Sequence, residues 1–431
     1  MAAAYRRRGA SRRDRARAPA RTGLADVAPT VSPDRIDDAP TNERDAVANL
    51  AWRGVHCAQL AVPPRRRGAR RPRSRRSLGD SGKRVWETFK ADYELFEVDE
   101  DGRRVAPQPW ASYGGRNPCG AAIDNRQKTI ASFASFADFN QPSFTVGAPA
   151  NPLVAQNRAY TRYEIHFNEP DFSAFAASGW SLGLNLPDKS RPGRFPVGSI
   201  AVKAAWRPLT AADPPAVRAR YYIERAEIVD VAKTLAAGRA VYSESDVALV
   251  GLHIAIKTKS RSQWIWSTFE HVDNVPPAGE GEAREPDARD AGVPYAYFDP
   301  ARPKNLRPPF GTAEALPVDW TNPPKRDPAP AQVVRHHPID PSIVALNRAH
   351  WDLPGVRGTV WRHYMLAPRR AIIHENGGEG GPRLQYQRQS ARTGQSGSPQ
   401  RLRARRGLPG SNAVLSCVMG SLTTAERQPL A

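Results

Sequence analysis

The most continuous apolar pattern in the chain lies within residues 246–274. Residues 247–256 are almost entirely apolar, 257–261 are polar, and 264–270 are again rich in apolar side chains. Two apolar stretches of this length, separated by a short polar segment, are typical of two buried antiparallel strands. The pattern therefore predicts a β-hairpin over 246–274 at the centre of a sheet.

The turn of this hairpin fixes which side chains share a face. If the turn centres on residues 260–261, His253 lies opposite Thr268 and diagonal to Trp266 and Glu270. Directly opposed side chains are about 5 Å apart and diagonal ones about 7 Å apart. The other face is predicted to be core, and it carries Val250, Leu252, Ile254, Ile265, Phe269 and His271.

Shorter alternating patterns predict further strands. Apolar and polar residues alternate over 162–167, which indicates a half-buried strand, and again over 199–207. Residues 220–229 form another candidate strand, and 356–365 are expected to close the sheet as its last strand.

Three helices are expected, two before the first of these strands and one between strands. Aromatic residues at helical spacing predict a helix over 82–94, and a short helix is expected around 130–136. Asn168 is a suitable N-cap, Pro170 suits the first turn, and Gly179 is a suitable end for a third helix.

These elements predict a β-rich α+β fold. We expect a mainly antiparallel sheet or sandwich with a few short helices and long proline-rich loops, since the chain contains 41 prolines. Three regions follow: an arginine-rich tail over 1–80, a β-rich globular core over 81–378, and an arginine-, glycine- and serine-rich tail over 379–431. Both tails are expected to be disordered.

The charge distribution argues against a folded nucleic-acid-binding domain. The formal net charge is +20, but arginine is concentrated in the tails, for example over 65–76. Nucleic-acid binding is therefore expected only as nonspecific contact through the tails. The tails are rich in residues with GC-rich codons and lack lysine, so a further hypothesis is that they arise from a frame error.

Targeting and redox signals are few. No apolar window of 18 residues predicts a membrane-spanning helix, and no apolar segment follows the basic N-terminus as in a signal peptide. Taken literally, the chain is expected to be cytoplasmic. Cys57, Cys119 and Cys417 are too few and too scattered for a disulfide framework, and no C-x-x-C pair is present.

Two local patterns carry candidate chemistry. The segment 179–183 matches the G-x-S-x-G nucleophile elbow, but a helix rather than a strand is expected to precede it, which favours a helix end and a turn. On the hairpin, His253 and Glu270 could hold a proton near neutral pH, or a metal with Asp273 nearby. Trp266 is expected either to pack in the core or to stack a sugar ring or another planar ligand. A structural His253–Glu270 pair is the favoured interpretation.

The hairpin also carries a family resemblance. Residues 247–254 and 264–274, together with 85–96 and 199–206, resemble an uncharacterised family of exported bacterial proteins that are loosely labelled cytochrome c family proteins. The resemblance spans about residues 77–375. It implies a signal peptide before this region and, in many members, a C-x-x-C-H haem-attachment motif after it.

This chain has neither feature. Cys417 lies near the position expected for the haem motif but lacks the second cysteine and the histidine, so haem attachment is not expected and no cofactor is predicted. Three functions remain open. The preferred one is a non-catalytic binding or structural module, and the others are a c-type cytochrome remnant that has lost its haem segment and a hydrolase or metal enzyme centred on the hairpin.

Overall fold

The structure is a computed structural model that describes the central part of the chain. The described residues are 78–79, 82–99, 101, 103–112, 128–130, 132–133, 153–185, 195–237, 241–259, 264–277, 293–301, 330, 333 and 338–367. Apart from Leu78 and Gly79, the predicted tails lie outside this part, as do the three cysteines.

Within the described residues, nine strands form one sheet, which confirms the predicted β-rich class. The strands are β1 (Lys90–Ala91), β2 (Lys128–Ile130), β3 (Ser132–Phe133), β4 (Arg162–Phe167), β5 (Ile200–Pro208), β6 (Ile223–Val229), β7 (Tyr242–Lys257), β8 (Trp264–His271) and β9 (Tyr364–Leu366).

Short helices connect and flank these strands. The α-helices are α1 (Asp92–Leu95), α2 (Glu169–Ala177), α3 (Pro215–Arg218), α4 (Val231–Ala237), α5 (Pro341–Trp351) and α6 (Pro354–Arg357), and 3₁₀ turns span Val85–Thr88, Trp180–Leu182 and Val360–His363. Among the described residues, no helix has the length and apolar character needed to cross a membrane.

The long strand β7 organises the sheet. Along one edge it pairs with β5 over residues 247–256. Along its other edge it pairs first with β6, over 242–248, and then with β8, over 251–257. The predicted hairpin is therefore confirmed and lies at the centre of the sheet.

A short segment closes the sheet on itself. β2 pairs in parallel with β6, while β3, which begins two residues after β2 ends, pairs antiparallel with β4. Because β4, β5, β7 and β6 are already neighbours in that order, the pairing forms a complete circuit. The sheet thus has an enclosed inner face and an outer face.

A β-bulge changes which β7 side chains point inward. Ala205 pairs with Gly251 but Trp206 pairs with Leu249, so Val250 is an extra residue on β7. The Asn274 side-chain amide donates to the Val250 carbonyl oxygen at 2.7 Å, which satisfies a backbone group near the bulge. The prediction that Val250 shares a face with Leu252 is therefore wrong, because the bulge turns Val250 to the outer face.

Apolar clusters cover both faces. The inner cluster contains Trp86, Trp206 and Leu249, none of which is exposed to solvent, and it extends to α5 and α6. On the outer face, aromatic residues around α2 cover one region, while Tyr221 and Tyr297 belong to a cluster that covers another. A half-buried strip lies between these two outer clusters.

Several predicted elements differ from the observed ones. The predicted helix over 82–94 is divided into a 3₁₀ turn, β1 and α1, because β1 pairs with the end of β4. In place of the helix expected around 130–136, Ile130 ends β2 and Ser132–Phe133 form β3, while 134–136 lie outside the described residues. The expected strand over 356–365 is mostly helical turns, and only 364–366 pair with β8. Residues 162–167 are buried throughout rather than half-buried, since both faces of β4 are covered.

The helix expected after Asn168 is confirmed as α2. The Asn168 side chain accepts from the Asp171 amide at 3.3 Å, as an N-cap does, and also from the Ile200 amide at 2.9 Å. Its own amide group donates to the Gly198 carbonyl oxygen at 2.7 Å. Gly179 follows the helix in the left-handed conformation, with φ of 73°, which glycine adopts without strain.

We predict that Asn168→Ala lowers the free energy of unfolding by about 2–4 kcal/mol, because it removes a helix cap and two bonds to the start of β5. Asp340→Ala is the matched control, since the Asp340 side chain caps α5 through the amide and hydroxyl of Ser342, and its loss should cost about 1 kcal/mol. Urea unfolding of both variants measures the difference. Equal losses would show that the ties to β5 contribute nothing.

Candidate functional site

The hairpin face that carries the predicted site residues forms with the predicted register. His253 pairs with Thr268, Gly251 with Glu270 and Ala255 with Trp266. His253, Thr268, Glu270 and Trp266 are all half-buried on the outer face. The ring atom Nδ1 of His253 lies 2.9 Å from Thr268 Oγ1, so this ring nitrogen is hydrogen-bonded to the directly paired residue on β8.

Asp273 belongs to a different group of residues. Its carboxylate is buried and accepts two hydrogen bonds from the Arg220 guanidinium, at 2.7 and 3.1 Å. The Asp273 amide donates to Nδ1 of His271 at 3.1 Å, so the ring proton is on Nε2. Nε2 lies 3.1 Å from the Arg220 carbonyl oxygen, to which it donates. Burial lowers the pKa of His271 to about 3, so this histidine is neutral.

This arrangement is structural. The Asp273 carboxylate is occupied by Arg220, and His271 stacks on Tyr221 with ring centroids 3.8 Å apart. Across the described residues, no three His, Cys, Asp or Glu side chains are placed to hold one metal ion.

A row with two small residues in its middle, which we call the trough, crosses the outer face at the level of Gly251. Tyr163, Ala205, Gly251 and Glu270 are paired in this order across β4, β5, β7 and β8. The two middle positions carry almost no side chain, whereas the two outer ones are large. Since strands are about 4.8 Å apart, the low region is roughly 10 Å wide.

Polar groups border this trough on one side. The next row of paired residues is Ile165, Lys203, His253 and Thr268. The Lys203 ammonium lies 5.5 Å from the centre of the Tyr163 ring, a cation–π distance. One row further on, Trp266 packs against the apolar cluster around α2 and remains half-buried. The outer face thus combines an amine, an imidazole, a hydroxyl, a carboxylate and an indole.

The inner face contains a buried ionic cluster that sequence reasoning missed. Glu164 on β4 accepts from Lys128 Nζ at 2.9 Å and from the Trp206 indole N–H at 2.7 Å, both on Oε1. Its Oε2 lies 2.9 Å from Nε2 of His166. Four strand residues from β2, β4 and β5 therefore meet at one carboxylate.

Lys128 joins a second carboxylate to this cluster. Its ammonium lies 2.8 Å from Glu87 Oε1, and it sits 4.8 and 4.9 Å from the ring centres of Trp86 and Trp206. A cation close to two indole rings is attracted by both π-systems, and more strongly where water is excluded. Lys128 is therefore held by two carboxylates and two aromatic rings.

The electrostatics of the cluster favour its charged form. Burial alone would raise the pKa of Glu164, but Lys128 and His166 outweigh it and hold that pKa at about 2. Burial likewise disfavours the charged forms of Lys128 and His166, yet Glu164 raises the pKa of each. The cluster is thus a self-compensated set of charges inside the fold.

The sequence contained one signal for this cluster. Arg162, Glu164 and His166 occupy alternate positions of a strand, which sequence reasoning interpreted as a solvent-facing row. A row that includes both charge signs and a histidine can equally face other charges inside a closed sheet. The partner Lys128 lies far away along the chain, so the alternation alone does not identify it.

The G-x-S-x-G segment forms a turn, as expected. Gly179 and Gly183 both adopt left-handed conformations on either side of the 3₁₀ turn Trp180–Leu182, and α2 precedes them. Ser181 is 1% exposed. A strand does not lead into this turn, so the strained strand–helix geometry of a nucleophile elbow is not formed here.

One further buried carboxyl stands apart from the ionic cluster. Asp171 lies in the first turn of α2, is 1% exposed, and burial raises its pKa to about 8. The folded pKa exceeds the unfolded value, so the stability linked to Asp171 is fully present below about pH 4 and is lost as pH rises through about 8.

We predict that Asp171→Asn removes a slope of about 1.4 kcal/mol per pH unit from the unfolding free energy between pH 5 and 8, because the amide has no proton to release. Glu169→Gln, an exposed change in the same helical turn, should leave that slope in place. Urea unfolding at several pH values measures both. An unchanged slope in Asp171→Asn would contradict the assignment.

Comparison of the chain with protein-family models, with curated proteins and with solved structures finds no match. Function is therefore argued from the two arrangements described above. The inner cluster is enclosed by the sheet, while the outer trough is half-buried and chemically varied.

Proposed function

We propose that the protein is a non-catalytic binding module whose ligand lies in the outer trough above Ala205 and Gly251. The observation that carries this proposal is the four-residue row in which two nearly side-chain-free positions separate Tyr163 from Glu270. A recess on a rigid sheet, bordered by a few fixed polar groups, is the usual form of a small-ligand site.

The rigidity of the sheet supports this assignment. The trough lies on β5, β7 and β8, and of these β7 and β5 are the most extensively paired strands of the described sheet. Side chains on paired strands keep their positions better than those on loops, so little conformational entropy is lost on binding.

The border residues favour a carbohydrate as the ligand. Lys203 and Glu270 offer a charged donor and acceptor on opposite sides of the trough, and the half-buried indole of Trp266 provides an apolar surface close by. A sugar presents hydroxyl groups at its rim and C–H groups on its faces, which matches this mixture of polar and aromatic groups.

Membership of the exported bacterial family is part of the same proposal. The segments that carry the resemblance include most of β5, the middle of β7 (residues 247–254) and all of β8, which are the strands that form the trough. A module exported from the cell would meet extracellular or cell-wall sugars, and the proposal requires no haem.

We predict that Gly251→Val weakens binding without unfolding the protein. A Cβ at Gly251 would meet the Ala205 Cβ at 3.6 Å and the Phe269 carbonyl oxygen at 3.7 Å, which are ordinary contacts, so the branched side chain should rise into the trough. Calorimetric titration of the full chain with cellotetraose, chitotetraose and maltotetraose should show that at least one binds, with affinity reduced about tenfold or more in the variant.

The matched control is Glu244→Val, on the same strand and the same face but beyond the trough. Glu244 is 54% exposed and pairs with Arg225, so its loss should change neither stability nor binding appreciably. Failure of all three sugars to bind the natural chain would refute the carbohydrate assignment. Equal affinity in Gly251→Val and the natural chain would refute the location.

A further inference from the structure

The segment 84–96, which we call the N-terminal strap, is fastened to the sheet by several contacts. Its strand β1 pairs with the end of β4, and the Phe89 carbonyl oxygen lies 3.0 Å from Nδ1 of His166. The indole rings of Trp86 and Trp206 stack with centroids 6.1 Å apart. The strap thus closes over the inner ionic cluster.

One junction between the strap and β6 has unusual proton chemistry. The hydroxyl oxygen of Tyr222 lies 2.6 Å from Glu87 Oε2 on the strap and 2.5 Å from Glu224 Oε1 on β6. A phenol has one proton and can donate to only one of these oxygens. Two ionised carboxylates could not both be satisfied by it.

The surroundings decide which carboxylate is ionised. Glu87 also accepts from the Arg84 amide at 2.8 Å and contacts the Lys128 ammonium, so its charged form has three donors. Burial and the neighbouring Glu87 charge raise the pKa of Glu224. Burial together with both carboxylates raises the pKa of the Tyr222 phenol, which therefore keeps its proton.

The other charged groups near Glu224 do not remove this asymmetry. Lys128 on β2 and Lys83 before the strap both favour ionised Glu224, but burial and Glu87 outweigh them. The Arg84 guanidinium lies over the Tyr222 ring, 5.0 Å from its centre. On β7, the residue paired with Glu224 is Val247, which is apolar.

We propose that Glu224, Tyr222 and Glu87 form a proton-binding clasp, in which protonated Glu224 donates to the Tyr222 oxygen while Tyr222 donates to the Glu87 carboxylate. The bound proton then links β6 to the strap through one continuous pair of hydrogen bonds. Loss of that proton leaves two negative carboxylates facing one phenol, which weakens the attachment of the strap.

The direction of the pH effect follows from linkage. A carboxyl group with a folded pKa above its unfolded value contributes stability that is complete below the unfolded pKa and is lost as pH rises through the folded one. The strap should therefore be held more firmly in acid than in alkaline solution, with release beginning above the ordinary range of a glutamate.

Amide hydrogen exchange of the full chain, followed by mass spectrometry, tests this clasp. After correction for intrinsic exchange rates, protection of amides in the strap should fall severalfold in the natural chain as pH rises from about 4 to about 9, because Glu224 loses its proton within this range. Amides of β7 serve as the reference for global unfolding. In Glu224→Gln the side-chain amide replaces the acid as donor, so protection should stay high at both pH values.

Glu244→Gln is the matched control, because it removes an exposed carboxyl from the neighbouring strand, and it should behave as the natural chain does. The infrared C=O stretch of protonated carboxylic acids, followed over the same pH range, should lose in Glu224→Gln the intensity of the carboxyl group that deprotonates above the ordinary range of a glutamate. A strap whose protection does not change with pH, or changes equally in Glu224→Gln, would overturn the clasp. So would unchanged infrared intensity.

Discussion

The carboxylate of Glu164 is buried in the enclosed side of the sheet, and a buried charge is tolerated only when it is paired and hydrogen-bonded. Three donors satisfy it, from Lys128, Trp206 and His166. Lys128 can reach it only because β2 and β3 cross from β6 to β4. The closure of the sheet and the neutralisation of Glu164 therefore require each other, and breaking one would leave the other unstable.

Lys128 extends this dependence to the strap. Because its ammonium also binds Glu87 and lies close to the rings of both Trp86 and Trp206, the strap and the sheet share one cation. The inner face is consequently filled by the protein's own aromatic rings and charges. The outer face differs, since at Gly251 and Ala205 the sheet has little side-chain bulk, and Lys203, His253 and Glu270 beside them are half-buried. The proposed function therefore places ligand contact on the outer face, away from the buried charges.

Much of the hairpin could be predicted from the sequence. Its apolar stretches are long and the turn between them is short, so parity places His253, Thr268, Trp266 and Glu270 on one face. The same alternation predicts the wrong face for Val250, because a β-bulge shifts the alternation there. No residue type in the sequence indicates this bulge. Sequence proximity also placed Asp273 near His253 and Glu270, but the chain turns after β8 and brings the Asp273 carboxylate to Arg220.

What the sequence determined by itself is local: the β-rich class, the hairpin register, the Asn168 cap and the end of α2 at Gly179, since each depends on neighbouring residues or a short turn. Only the tertiary structure decided the inner cluster, the broken helix of the strap and the trough. Lys128 and Glu164 are 36 residues apart, and Tyr163, Ala205, Gly251 and Glu270 come from four strands. The alternation of residues along a strand shows which side chains share a face. Only the closure of the sheet determines which residues each face contacts.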